Sequence, residues 1–230
     1  MILPIVRREV SGAMLSSQLH PVIDRIYRGR NVQHPDELEH GLKGLLHYNE
    51  LKGMTAAASL LANAIQQNKR IIIVGDFDAD GATSIAVCLL SMRAMGFNNI
   101  DYLVPNRFDF GYGLSVPIVD VAIENGADVI VTVDNGISCL EGVAHAKAQG
   151  LQVVVTDHHL PGESLPIADA IVNPNQPGCN FPSKNVAGVG VAFYIMLAIK
   201  AELQQRGYFQ EAAIPPPNLA SLLDIVAVGT

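Results

Sequence analysis

Three runs of apolar, mostly β-branched residues in this chain break off at an aspartate: "RIIIVG" before Asp76, "ADVIVTV" before Asp134 and "LQVVVT" before Asp157. Continuous apolar runs of this length suit strands buried on both faces, as in parallel sheets covered by helices. Two further runs, "IDYLVP" from residue 100 and "ADAIVNP" from Ala168, bring the set to five. Between them lie stretches of helical character: "GATSIAVCLLSMRAMG" closing on Gly96, then residues 115–125 and 137–149. Strand and helix in alternation predict an α/β fold, a parallel sheet of about five strands flanked by helices.

Residues 1–69 read instead as a helical lead-in packed on that core. "PDELEHGLKGLLHY" starts with Pro35, has acids in its first turn and repeats Leu38, Leu42, Leu45 and Leu46 at helical spacing. "MTAAASLLANAIQQ" follows the same logic. The basic "RIYRGR", Arg25 to Arg30, is either a phosphate-contacting segment or a solvated helix end. Residues 70–207 form the α/β domain, closing with a long helix at about residues 187–206. Residues 208–230 hold the proline-rich "GYFQEAAIPPPNL" and a last apolar element, "LASLLDIVAVGT", which stops without a cap or polar tail. That ending gives the expectation of a piece of a longer polypeptide.

Charge narrows the chemistry. The chain carries a net −7, and residues 71–175 hold thirteen acids against Arg93, Arg107 and Lys147. Such an acidic centre is either a solvated surface or a site whose charge divalent cations cancel. Cys88, Cys139 and Cys179 are odd in number and widely spaced, which argues against a disulfide framework or a paired-cysteine zinc site. The N-terminus lacks the apolar core of a signal peptide, and no apolar run is long enough to span a bilayer. A cytoplasmic location is the expectation.

Ligands of open parallel sheets bind beyond the carboxyl ends of the strands. Here those ends carry Asp76, Asp78 and Asp80 in "GDFDADGATS", Asp134 in "TVDNGIS", and Asp157, His158 and His159 in "TDHHLPG". If "DFDAD" stays extended, its three acids share one face. Carboxylates so close repel and must bind metal or take up protons. Asp134 could equally be a helix cap. Mixed carboxylate and imidazole donors without thiolate suit Mn²⁺ or Mg²⁺. A pair of such ions is a recurrent device for phosphoester hydrolysis, activating water and clamping the phosphoryl oxygens.

The ordered stretches "VGDFDADGATS", "VPNRFDFGYGLS", "TVDNGIS", "VVTDHHLP" and "NPNQPGCNFPSKNVAGVGVAFYIMLAI" resemble the motifs of the DHH phosphoesterases, in particular their single-strand-specific DNA exonucleases. The likeness runs from about Leu19 to Thr230. It implies two divalent ions, Mn²⁺ or Mg²⁺, held by Asp78, Asp80, Asp134 as bridge, His158 and a late acid matching Asp224. It implies that Asp76 supports the ligands from behind or acts as general base, that Asp157 orients the histidines, and that His159 sits on phosphate or metal. In the second stretch Arg107 is the candidate phosphate clamp. Tyr112 and Phe110 either stack on bases or serve the core, and Gly188 and Gly190 either let backbone approach the substrate or allow close helix packing.

The activity so implied is 5′→3′ degradation of single-stranded DNA to mononucleotides in repair and recombination, with a helicase or single-strand-binding protein as partner. Family members continue into a second domain and a nucleic-acid-binding fold that this sequence does not contain, which implies a fragment of impaired activity. The rival readings are a DHH hydrolase of small substrates (pyrophosphate, cyclic dinucleotides or very short RNA) and a non-catalytic DHH binding module.

Overall fold

The computed structural model of the 230-residue chain describes residues 9–10, 12–38 and 44–230. Its contacts cluster into two units, Met1–His47 and Tyr48–Thr230. In the first, α1 (Pro21–Gly29) opens on proline, whose missing N–H is no loss at that position. Asp24 on this helix is buried, accepting from Leu15 N at 2.8 Å and from Arg28 Nε at 2.7 Å. The long helix expected from Pro35 onward is not what the described residues form. Pro35–Leu38 and Tyr48–Glu50 are single 3₁₀ turns, and residues 39–43 lie outside the description. Of the expected leucines, Leu45 is exposed, Leu38 and Leu46 are partly buried, and Leu42 lies outside the described residues.

The second unit carries the sheet. After α2 (Met54–Gln66) come β1 (Ile71–Gly75), α3 (Ala79–Ala94), β2 (Ile100–Leu103), the short α4 (Arg107–Phe110) and α5 (Val116–Glu124). Then follow β3 (Val129–Val133), α6 (Leu140–Ala148), β4 (Gln152–Thr156), β5 (Ala170–Val172), α7 (Gly188–Gln205), α8 (Tyr208–Glu211) and α9 (Leu223–Gly229). All five strands are parallel, in the order β2-β1-β3-β4-β5. Every residue of β1 and β3 is buried, as the unbroken apolar runs require.

Side chains alternate between two covered faces. Ile72, Val74, Ile130, Val153 and Val155 face α5 and α6, meeting Ile118, Val119, Ala122, Val143 and Ala146. On the other face α3 packs on β1, α7 on β3 and β4, and α2 on β5. The helix after β1 and the helix after β2 thus cover opposite faces, and the strand order reverses between β1 and β3. That switch point is where doubly wound sheets leave a crevice.

The chain leaves β1 differently from the extended course expected for "DFDAD". Asp78 is the N-cap of α3, accepting from Gly81 N at 3.0 Å, so Asp80 already lies in the helix. A capping aspartate followed by good helix formers makes the turn earlier than alternation would suggest. Gly81 makes the tight turn possible: a Cβ there would lie 2.3 Å from the carbonyl oxygen of Asp76. The last segment is helical, with α9 packed against α3 and α7. All three thiols are free, and among the described residues no helix is long and apolar enough to cross a membrane.

Gly81→Ala is expected to cost about 1–3 kcal/mol or more, since backbone must move to admit the methyl group. Gly162→Ala, with nothing within 4 Å, is expected to stay within about 0.5 kcal/mol of the parent. Urea midpoints check both, and equal midpoints would refute the close approach of α3 to Asp76.

Candidate metal centre

Register decides where the acids fall. Gly75 of β1 pairs with Val133 of β3, and Val133 with Thr156 of β4. The next residue on each strand is an aspartate, so Asp76, Asp134 and Asp157 stand in one row across the switch point, each at most 4% exposed. Thr156 also pairs with Val172 of β5, which adds the buried Asn173 to the row.

Two groups of ligating atoms, each within 4.8 Å of one another, meet at this row: Asp76, Asp78 and Asp134, and Asp134, His158 and His159. Asp134 belongs to both. Its backbone is left-handed, with φ 59°, a conformation that aspartate tolerates better than most residues. Its Oδ1 is buried without a completed hydrogen bond, although His158 Nε2 lies 3.1 Å away. Burial raises the Asp134 pKa, His158 opposes the rise, and the charges of Asp80 and Asp78 add to it. His158 is raised in turn, chiefly by its contact with Asp134, while its burial works the other way.

Asp157 is buried as deeply yet behaves oppositely. Its Oδ2 accepts from Ile137 N at 2.9 Å, and its Oδ1 from His158 N at 2.7 Å, His159 N at 3.1 Å and His159 Nδ1 at 2.7 Å. Burial raises its pKa, but these donors, His159 first, outweigh burial and leave it below the ordinary value. The same contact lifts His159 to about 9. Asp157 therefore orients the ring of His159 but holds His158 by its backbone amide rather than, as expected, by its ring.

Asp80, expected from the resemblance as a metal ligand, stands in neither group. Both its oxygens cap α7, accepting from Gly188 N at 2.8 Å and Val189 N at 2.6 Å, while Oδ2 stays 3.5 Å from His158 Nε2. The positive end of the helix dipole favours an anion there. Gly188 permits the approach, because a Cβ on it would sit 2.7 Å from Asp134 Oδ1; Gly190 abuts Val186 instead. Asp224 is exposed on α9, accepts from Ile225 N and joins neither group. Phe110 packs against the core, whereas Tyr112 is half exposed.

Tyr112 borders a depression of about 530 Å³ with Ile137, Cys139, Asp157, His159 and Leu160. Burial, then the charges of Asp76, Asp157 and Asp134, push its phenol pKa up, so it remains a hydrogen-bond donor. Arg107 opens α4; its side chain lies outside the description. Three polar residues outside the expected set brace the site. Asn135 Nδ2 donates to the carbonyls of Val74 and Val133, tying β1 to β3 beside the switch point. Asn173 and Asn175 hold the backbone of the two histidines. The polar "NPN" directly after an apolar strand was the available signal.

The row fits divalent cations. A buried carboxylate oxygen has no completed hydrogen bond, the donors are carboxylate and imidazole, and the thiol of Cys139 has its pKa raised by burial. Residues 70–230 match the family model described as "DHH family, N-terminal domain". The chain is 56% identical over 225 residues to the single-stranded-DNA-specific exonuclease RecJ of Escherichia coli (strain K12), covering 97% of this chain and 39% of that protein. It is 32% identical to the Thermus thermophilus exonuclease of the same name, covering 97% of this chain and 30% of that protein. Among solved structures, exonuclease RecJ bound to manganese matches with TM-score 0.67 and 34% identity, over 81% of this chain and 44% of that one. RecJ from Thermus thermophilus in complex with Mn²⁺ matches with TM-score 0.66 and 31% identity, over 89% of this chain and 27% of that one.

A pH dependence follows from His159. Its folded-state pKa lies near 9, above the unfolded value of about 6.5. The stability it contributes is present in full below about pH 6.5 and disappears as pH rises through 9. The metal-free chain should therefore have a lower urea midpoint at high pH than at neutral pH, and His159→Gln should flatten that fall. Parallel pH profiles for the two proteins would refute the His159–Asp157 contact.

Proposed function

The chain belongs to the DHH family, and on that premise we propose that it carries the metal centre of a single-strand-specific DNA exonuclease, releasing mononucleotides from the 5′ end in repair and recombination. The observation that carries this reading is the membership of Asp134 in both ligand groups, at the switch point of the sheet. Asp76, Asp78 and Asp134 would hold one divalent ion, Mn²⁺ or Mg²⁺, and Asp134, His158 and His159 the other. Bound there, such a pair supplies Lewis acidity to a phosphoryl group and acidifies water.

The chain's own residues do the rest. Asp157 keeps His159 in one orientation through Nδ1, leaving Nε2 for a ligand or a phosphate oxygen. Asp80 fixes the start of α7 against the row, so that Asp134 has little room to swing. Tyr112, protonated at the rim of the depression, can donate to a phosphate oxygen or lie against a base. Arg107 is proposed as a phosphate contact, since guanidinium grips phosphate with two hydrogen bonds. A negatively charged centre is compatible with a polyanionic substrate when cations reverse the local sign. The proposed supplier of substrate is a helicase or single-strand-binding protein, and the proposed location is the cytoplasm.

The deciding experiment compares Mn²⁺-dependent hydrolysis of a labelled DNA single strand, the matching duplex, pyrophosphate and a dinucleotide by protein of the relatives' full length that includes this chain. Digestion of the single strand from its 5′ end supports the reading; hydrolysis of only the small substrates overturns it. Asp134→Asn should lower single-strand digestion more than about 100-fold. Asparagine accepts the left-handed backbone and relieves a buried charge, so the metal-free variant should melt no lower than its parent. Full activity in Asp134→Asn would remove this residue from the chemistry.

A further inference from the structure

The segment His158–His159 is clamped from both sides. Its amides donate to Asp157, as described above. Its carbonyls receive donors from the loop after β5: Asn175 Nδ2 reaches His158 O at 2.6 Å and Asn173 Nδ2 reaches His159 O at 2.9 Å. We propose that Asn173 and Asn175 are positioning residues, which fix the peptide planes flanking His158 and His159 and so aim both imidazoles at Asp134. The inference rests on the metal-dependent reading given above.

A side chain's direction is set first by its Cα, and the Cα by the peptide planes on either side. His158 has one plane held through its amide by Asp157 and the next through its carbonyl by Asn175. The two asparagines are also fixed relative to each other, because Asn173 Oδ1 accepts from Asn175 N at 2.7 Å, and Asn173 is wholly buried. Pro174 between them restricts the backbone further. The loop is anchored in turn: Lys184 Nζ donates to Pro174 O at 2.6 Å and to Cys179 O at 2.9 Å. Gln176 Nε2 donates to Ile171 O at 2.8 Å and to Lys52 O at 3.1 Å. Displacement of a site group by about 1 Å is enough to lose function.

Three substitutions separate positioning from bracing. Asn175→Ala removes the donor to His158 O, Asn173→Asp removes the donor to His159 O at constant shape, and Lys184→Ala loosens the same loop without touching either histidine. Mn²⁺ affinity by calorimetry should fall about 10–100-fold in the asparagine variants and clearly less in Lys184→Ala, which keeps both asparagine donors. In the metal-free chain, the imidazole ¹⁵N signals of His158 should split or broaden in Asn175→Ala alone. If buried Asn173→Asp fails to fold, the half-buried Asn175 carries the test. Parent-like affinity and sharp histidine signals in folded Asn175→Ala would overturn the proposal, as would an equal loss in Lys184→Ala. These readouts need no DNA. Failure of the unmodified protein to digest DNA would count against the nuclease reading alone, whereas absence of Mn²⁺ affinity in the unmodified chain would sink both.

Discussion

Parallel pairing in matched register creates the problem that the rest of this molecule has to solve. Because β1, β3, β4 and β5 end level, their next residues fall in one row, and three of those residues are aspartates almost withdrawn from water. An ionised carboxylate in such a place costs several kcal/mol unless it is paired or hydrogen-bonded. The row can therefore exist only with compensation. Most of it comes from backbone amides, which serve Asp78, Asp80 and Asp157.

Asp134 receives the least of this compensation. Burial alone would push Asp134 and Asp157 in the same direction, yet their pKa shifts have opposite signs. What separates them is donors: Asp157 accepts three amides and a ring nitrogen, while Asp134 Oδ1 is left with a single imidazole out of line. Asp80 is satisfied from elsewhere, by the first amides of α7. A carboxylate surrounded by N–H groups has few lone pairs to offer a cation. One left short of donors keeps more of them.

The fold was legible because buried parallel strands announce themselves as uninterrupted apolar runs, and all five appear where those runs lie. The acids at the strand ends were legible for the same reason. Register was not, since nothing in "VIVTV" or "VVVT" says that Val133 and Thr156 stand level. Extended alternation through "DFDAD" was the wrong rule: Asp78 caps a helix, and capping overrides the strand period within one residue. Asp80 therefore ends beside α7, a partner more than a hundred residues away in sequence. The leucine spacing of the lead-in suggested a helix, but spacing reports a face only if something covers it. Asn173 and Asn175 were hidden because an asparagine after a strand usually marks a turn, and only tertiary pairing reveals what its amide holds.

The backbone at Asp134 ties fold to chemistry. Left-handed geometry at a non-glycine residue is unfavourable by about 1–2 kcal/mol, and it persists only where the surroundings leave no alternative. Here Asn135, fully buried, binds the carbonyls of Val74 and Val133, so the chain cannot relax by lifting away from the sheet. Gly136 then turns back tightly enough that a Cβ would meet Thr132 Oγ1. On the other side, α7 closes over the carboxylate at Gly188, where only glycine leaves the space. Strain, a clamping amide and two glycines converge on the one aspartate common to both ligand groups. Asn31, Asn68 and Ala213 share the left-handed backbone, but among these four only Asp134 also belongs to the ligand groups.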